Sequence, residues 1–141
     1  MYAIKAQFEA GCSPSQLKDW LDNTNGIAGW WSDGVTGDAG SVGDQFHVKF
    51  PTSPVVFDLR VTEMRDEAVE WHIDENPPWW KDTTIRFDLS PAENGTRLLF
   101  THTGFQPDDP IIAVITPAWV RFLDNLVKVG ETGRANAAVR N

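Results

Sequence analysis

Apolar and polar residues alternate from the start of the chain. Tyr2, Ile4, Ala6 and Phe8 oppose Ala3, Lys5 and Gln7, which predicts a half-buried strand. In the next stretch Ser13 suits an N-cap and Pro14 a first helical position, and Leu17, Trp20 and Leu21 share one helical face. Residues 23–26 close this helix, and a second short turn is expected to reach Gly29. Five alternating runs follow. Their apolar sets are Phe46-Val48-Phe50, Val55-Phe57-Leu59-Val61, Val69-Trp71-Ile73, Ile85-Phe87-Leu89 and Leu98-Phe100-His102. Asn94-Gly95 marks a hairpin between the last two, and short links throughout predict an antiparallel meander.

The pattern changes period near the C-terminus. Trp119, Phe122, Leu123, Leu126 and Gly130 form one helical stripe, opposite Arg121, Asp124, Asn125 and Lys128. Asp109-Pro110 and Thr116-Pro117 both resemble helix starts, so a kink or break is expected at Pro117. The glycine-spaced stretch 32–45 reads as a flexible connection. Residues 1–133 are expected to form one domain and 134–141 a flexible tail. The predicted class is α+β. A curved antiparallel sheet of about six or seven strands wraps the long C-terminal helix, with two short helices after the first strand. Only that helix is long enough to cover the apolar faces of the strands.

Two tryptophan pairs interrupt the pattern. Neighbours on a strand point to opposite faces, so only one ring of Trp30-Trp31, and one of Trp79-Trp80, should lie fully inside. Extended geometry from 79 to 85 would turn Trp79 inward with Ile85 and Phe87. The second ring of each pair would stand at the mouth of an apolar hollow, or would be the half-buried neighbour of an ordinary core anchor.

Charge narrows the function. Twenty acidic residues against 12 basic ones give a net charge of −8, with no basic stripe, which argues against nucleic acid as a partner. No apolar run is long enough to cross a bilayer, so no membrane insertion is expected. A lone cysteine, Cys12, forbids an internal disulfide and fits a reducing cytoplasm. One cysteine and three scattered histidines make no metal pattern, so neither metal nor cofactor is expected. No Ser-His-Asp or G-x-S-x-G arrangement is legible, and catalytic residues stay unassigned. His102, on the inward face, could bind a ligand oxygen, act as acid or base, or simply bond a neighbouring element. Tyr2 is a further inward polar candidate. His47 and His72 fall on the outward face with Asp58, Arg60, Glu70, Asp74, Arg86 and Asp88, which reads as a solvated charge lattice.

Several words recur in a known order: Gly29-Trp30-Trp31, Trp80 through Leu89, Gly95-Thr96-Arg97-Leu98, Thr101 through Phe105, and Trp119 with Phe122, Leu123, Leu126 and Glu131-Thr132-Gly133. Together they resemble the START-like (SRPBCC) helix-grip superfamily, which includes polyketide cyclases, pollen-allergen-type proteins and lipid-transfer domains. The branch resembled is bacterial and similar to the C-terminal domain of the heat-shock-protein-90 ATPase activator. The resemblance implies a cavity between sheet and helix, implies Trp80 as the packed ring of its pair, and implies no shared catalytic residue.

The expected function is therefore binding of a small hydrophobic or aromatic molecule. Trp31, Phe46, Phe57, Trp71, Trp80, Phe87, Phe100, Trp119 and Phe122 would line the site, with His102 as its polar contact. The alternatives are a cofactor-free cyclase, dehydratase or hydrolase using the same cavity, and an interaction module with a protein partner.

Overall fold

The computed structural model describes residues 2–141. Seven strands form one antiparallel sheet in the order β1-β7-β6-β5-β4-β3-β2. These are β1 (Tyr2–Ala10), β2 (Gly34–Gly37), β3 (Gln45–Lys49), β4 (Phe57–Arg65), β5 (Ala68–Ile73), β6 (Thr83–Ala92) and β7 (Gly95–Phe105). Two short helices, α1 (Pro14–Lys18) and α2 (Thr24–Ala28), follow β1, and α3 (Ile111–Thr132) closes the concave face. This is the α+β helix-grip layout.

The local chemistry explains the elements. Ser13 and Gln16 form a capping box at α1, each side chain satisfying the other's backbone N–H. Asn23 caps α2 by accepting from Gly26 N–H at 2.6 Å. Along the sheet, register places apolar partners together on the inner face: Val61 opposite Trp71, Trp71 opposite Ile85, Phe87 opposite Phe100. The β6–β7 hairpin needs glycine at position 95. There φ is +150°, and an added Cβ would sit 2.0 Å from the Ala10 carbonyl oxygen.

The outer face is the expected charge lattice. Arg86 bonds Glu63, Glu70 and Asp88, and Arg60 forks onto Asp74 at 2.9 and 3.0 Å. His47 meets Asp58 at 2.6 Å and His72 meets Thr84 at 3.0 Å.

Three expectations change. Residues 34–37 are not a loose connection but the edge strand β2, paired with β3 through Val35 opposite Val48. Residues 134–141, expected to be loose, run as a strap beside residues 29–33. Asn136 N–H donates to Gly29 O at 2.7 Å, Val139 N–H to Trp31 O at 2.9 Å, and Asp33 N–H to Val139 O at 3.0 Å. The Asn125 side chain ties strap to turn by donating to both Trp30 O and Asn136 O. The third change is at Pro117, where α3 continues without a break. Pro117 and Ala113 both face solvent, so water can satisfy the carbonyl that Pro117 leaves unbonded.

That arrangement still forfeits one helical hydrogen bond, so Pro117→Ala should stabilise the protein by about 1–2 kcal/mol. Urea unfolding measures it; a variant no more stable than the wild type would contradict a continuous, solvent-compensated helix.

Candidate ligand-binding site

The concave face of the sheet is filled with rings. Trp30, Trp31, Trp71, Trp119, Phe46, Phe87 and Phe100 are all essentially inaccessible to solvent. Trp31 is the centre of this packing. It stacks between Trp30 (centroids 5.8 Å apart, planes at 11°) and Trp71 (6.2 Å, 5°), and it lies 5.3 Å from Trp119. Phe46 and Phe87 meet Trp71 edge-on at 5.0 and 4.9 Å, and Phe100 reaches Trp119 at 4.6 Å. Rings at these separations leave no room for a guest between them.

Trp30 and Trp31 are both buried, contrary to the strand-parity expectation. They stand on the turn after α2, where successive side chains need not oppose each other. Gly29 permits the turn: a Cβ there would meet the Trp20 ring at 2.6 Å. The Trp30 indole N–H is satisfied by Trp20 O at 2.7 Å.

Trp79 and Trp80 behave as a pair of unequal rings. They lie on a 3-10 turn (Pro78–Trp80), and Trp80 packs inward at 5% exposure while Trp79 stays 44% exposed. Trp80 is therefore the packed ring, as the resemblance implied; strand parity fails because the chain is not extended at 79.

His102 is buried and fully bonded. Trp119 Nε1–H donates to its Nδ1 at 3.1 Å, and its Nε2 lies 2.9 Å from Thr83 Oγ1. An indole N–H can only donate, so Nδ1 must accept and Nε2 must carry the proton. Thr83 in turn donates to Trp80 O at 2.6 Å. The chain Trp119–His102–Thr83–Trp80 thus runs in one direction and ties α3, β7, β6 and the 3-10 turn together. Burial pushes the His102 pKa down to about 3. Neither nitrogen is free for a ligand, and the neutral ring is no general acid at neutral pH.

Space opens instead at the mouth of the fold. A groove of about 520 Å³ lies between α3, the β3–β4 connection, the 3-10 turn and the C-terminal strap. Five of the expected site residues stand in its wall: Trp31, Phe57, Trp80, Trp119 and Phe122. Phe50 and Trp79 join them, with Phe57 as hinge of the group at 4.8 Å from Phe50 and 4.9 Å from Trp80. Phe46, Trp71, Phe87, Phe100 and His102, expected in the same site, lie buried behind this wall and do not line the groove. They share the parity of the wall residues, but the indoles of Trp31 and Trp119 fill the space in front of them.

Sequence reasoning missed Phe50, Arg121 and the strap residues Val139 and Arg140, all of which line the groove. Arg121 sits opposite the apolar stripe of α3, where a helical wheel assigns it to solvent. Its guanidinium lies 5.0 Å from the Phe122 ring centre. Tyr2's side chain lies outside the described residues. Cys12 is buried, and burial together with nearby Glu131 raises its thiol pKa, which suits packing rather than attack. Among the described residues no three His, Cys, Asp or Glu side chains converge as a metal site would require, and no helix is long and apolar enough to cross a membrane.

With this geometry in view, the sequence profile for "Activator of Hsp90 ATPase homolog 1-like protein" matches residues 4–131. The chain belongs to this family. The Aha1 dimer from Colwellia psychrerythraea is similar to it over 94% of this chain and 98% of that one, at 29% identity and a TM-score of 0.84. Protein MLL2253 from Mesorhizobium loti shares the fold at 20% identity, with 91% and 96% coverage and a TM-score of 0.76. DynU16, a putative protein in the dynemicin biosynthetic locus, shares it at 14% identity and a TM-score of 0.78, over 99% of this chain and 51% of that one. No curated protein matches the sequence.

The buried histidine gives this family member a predictable acid response. An unfolded histidine takes up a proton below about pH 6.5, whereas folded His102 stays neutral down to about 3. Protonation therefore favours the unfolded state between those values. The stability is fully present above about pH 6.5 and is lost as the pH falls, by about 2 kcal/mol between pH 7 and pH 5. His102→Gln keeps one donor and one acceptor but removes this titration. The stability gap between wild type and variant, from urea unfolding at both pH values, should narrow by that amount; a constant gap would contradict a neutral buried His102.

Proposed function

We propose that this family member binds a small, flat hydrophobic or aromatic molecule in the groove at the mouth of the fold, as a binding protein of the cytoplasm. The carrying observation is the ring wall, in which Phe57, Trp79, Trp80 and Phe122 present apolar surface around an unfilled space of about 520 Å³. That volume suits a molecule of two to four fused rings or a short acyl chain.

An enzymatic role finds less support. Among the described side chains lining the groove none is Asp, Glu, His, Cys, Lys or Tyr, so no side chain is placed to move a proton at neutral pH. A protein partner is the second reading, favoured first by the exposure of Trp79, 44% beside the groove. The Colwellia protein, described as a dimer, gives that reading its other support.

The neutral fluorophore N-phenyl-1-naphthylamine tests the first reading. It should bind with enhanced emission and quench tryptophan fluorescence. Ala118→Trp, which places an indole in the groove from α3, should weaken binding at least about ten-fold while circular dichroism stays unchanged, as expected when a ligand's apolar area is displaced. Absence of binding by the wild type, or unaltered binding by the folded variant, would overturn the proposal.

A further inference from the structure

We infer that the ligand of this groove is an anion: a flat apolar body carrying a carboxylate, sulfonate or comparably acidic oxygen. The inference rests on the groove being the binding site, and it concerns the chemical class of what enters.

The first observation is charge. The chain carries 20 acidic and 12 basic residues, so a randomly placed groove would be edged mainly by carboxylates. This groove has two arginines, Arg121 from α3 and Arg140 from the strap, and no acidic side chain in its wall. The arginines of the sheet are neutralised: Arg60, Arg65, Arg86 and Arg97 each pair with a carboxylate. Among the described residues Arg121 and Arg140 have no such partner within ion-pairing distance. Arg121 lies over the Phe122 ring, and Arg140 donates to the Asn136 side-chain oxygen at 3.1 Å. Arg140 does feel one carboxylate, since it helps to lower the Asp33 pKa from beyond ion-pairing distance. In a strongly acidic protein, two guanidinium groups without a direct ion pair beside one apolar hollow form a local attractor for an anion.

The second observation concerns hydrogen bonding. Two of the wall's indoles, Trp31 and Trp80, keep buried Nε1–H groups without a partner. A buried donor without an acceptor is costly, and most such groups in folded proteins are satisfied. The nearby hydroxyl of Ser53 is already used locally, donating to Val55 O and accepting from Val55 N–H. The buried unsatisfied side-chain groups of the wall are therefore both donors, and the exposed Thr52 hydroxyl beside them can donate or accept. The complement of the buried donors is a molecule rich in acceptors, and an ionised acid group at the arginine edge meets both demands. A cationic ligand would meet neither demand, and a polyol would supply acceptors but no charge for the arginines.

Two probes with one ring system separate this inference from the reading beneath it. 8-Anilinonaphthalene-1-sulfonate and N-phenyl-1-naphthylamine differ by a single sulfonate. The anion should bind wild-type protein at least about ten-fold more tightly than the neutral probe, and its affinity should fall with added salt. Arg121→Gln combined with Arg140→Gln changes exposed side chains, and should cut the affinity for the anion relative to that for the neutral probe about ten-fold, the scale of one lost charge-assisted bond. Equal binding of the two probes by the wild type, or a preference for the anion unchanged in the double variant, overturns the anion inference and leaves the groove standing. Failure of the neutral probe to bind overturns the groove reading and, with it, the anion inference. Should the double variant not fold, the comparison of probes and its salt dependence on wild-type protein decides alone.

Discussion

The structure depends on how tryptophans brought from outside the sheet fill the space beneath α3. The curved sheet offers a concave face of Phe46, Trp71, Phe87 and Phe100, and a single helix lying across such a face cannot touch all of it. Trp31 enters from the turn after α2, Trp119 from α3 and Trp80 from the 3-10 turn. Each buried ring contributes on the order of 2–3 kcal/mol by removing apolar area from water. Their stacking fixes the distance of the helix from the sheet. It also decides where room remains, which is at the mouth, between the last wall rings and the strap.

One polar chain gives this apolar packing a definite geometry. Rings alone tolerate sliding, because burial has no direction. The bonds from Trp119 to His102, from His102 to Thr83 and from Thr83 to the Trp80 carbonyl do have direction, and they hold the two wall indoles whose faces lie 5.9 Å apart at 16°. His102 thereby serves the groove at one remove. It sets the posture of Trp119 and Trp80 while touching nothing that binds there. A single change from histidine to a residue with only one polar function would leave either the indole or the threonine unsatisfied.

The sequence made the sheet legible because its strands alternate cleanly and their turns are short. It also made the helix legible, since its stripe from Trp119 to Gly130 keeps a helical period through five residues. What periodicity cannot carry is the third dimension of filling. Phe46, Trp71, Phe87 and Phe100 carry the inward parity expected of cavity-lining residues, and parity says nothing of Trp31 standing in front of them. The groove's remaining parts come from irregular chain: Phe50 from a connection, Trp79 from a 3-10 turn, Val139 and Arg140 from a strap with no alternation. Arg121 was hidden differently, because a helical wheel assigns it to solvent and does not register the groove that α3 borders. Trp30-Trp31 escaped because the parity argument holds for strands and the pair sits on a turn.

The deep interior is solid and room remains at the mouth. The direct measurement is intermolecular nuclear Overhauser contacts between bound N-phenyl-1-naphthylamine and the aromatic ring protons of the protein. Contacts to Trp79, Trp80 and Phe122, with none to Phe46, Trp71 or Phe87, are predicted. Contacts to the latter three would mean that the guest reaches the space beneath α3, and that the indole filling described here is wrong.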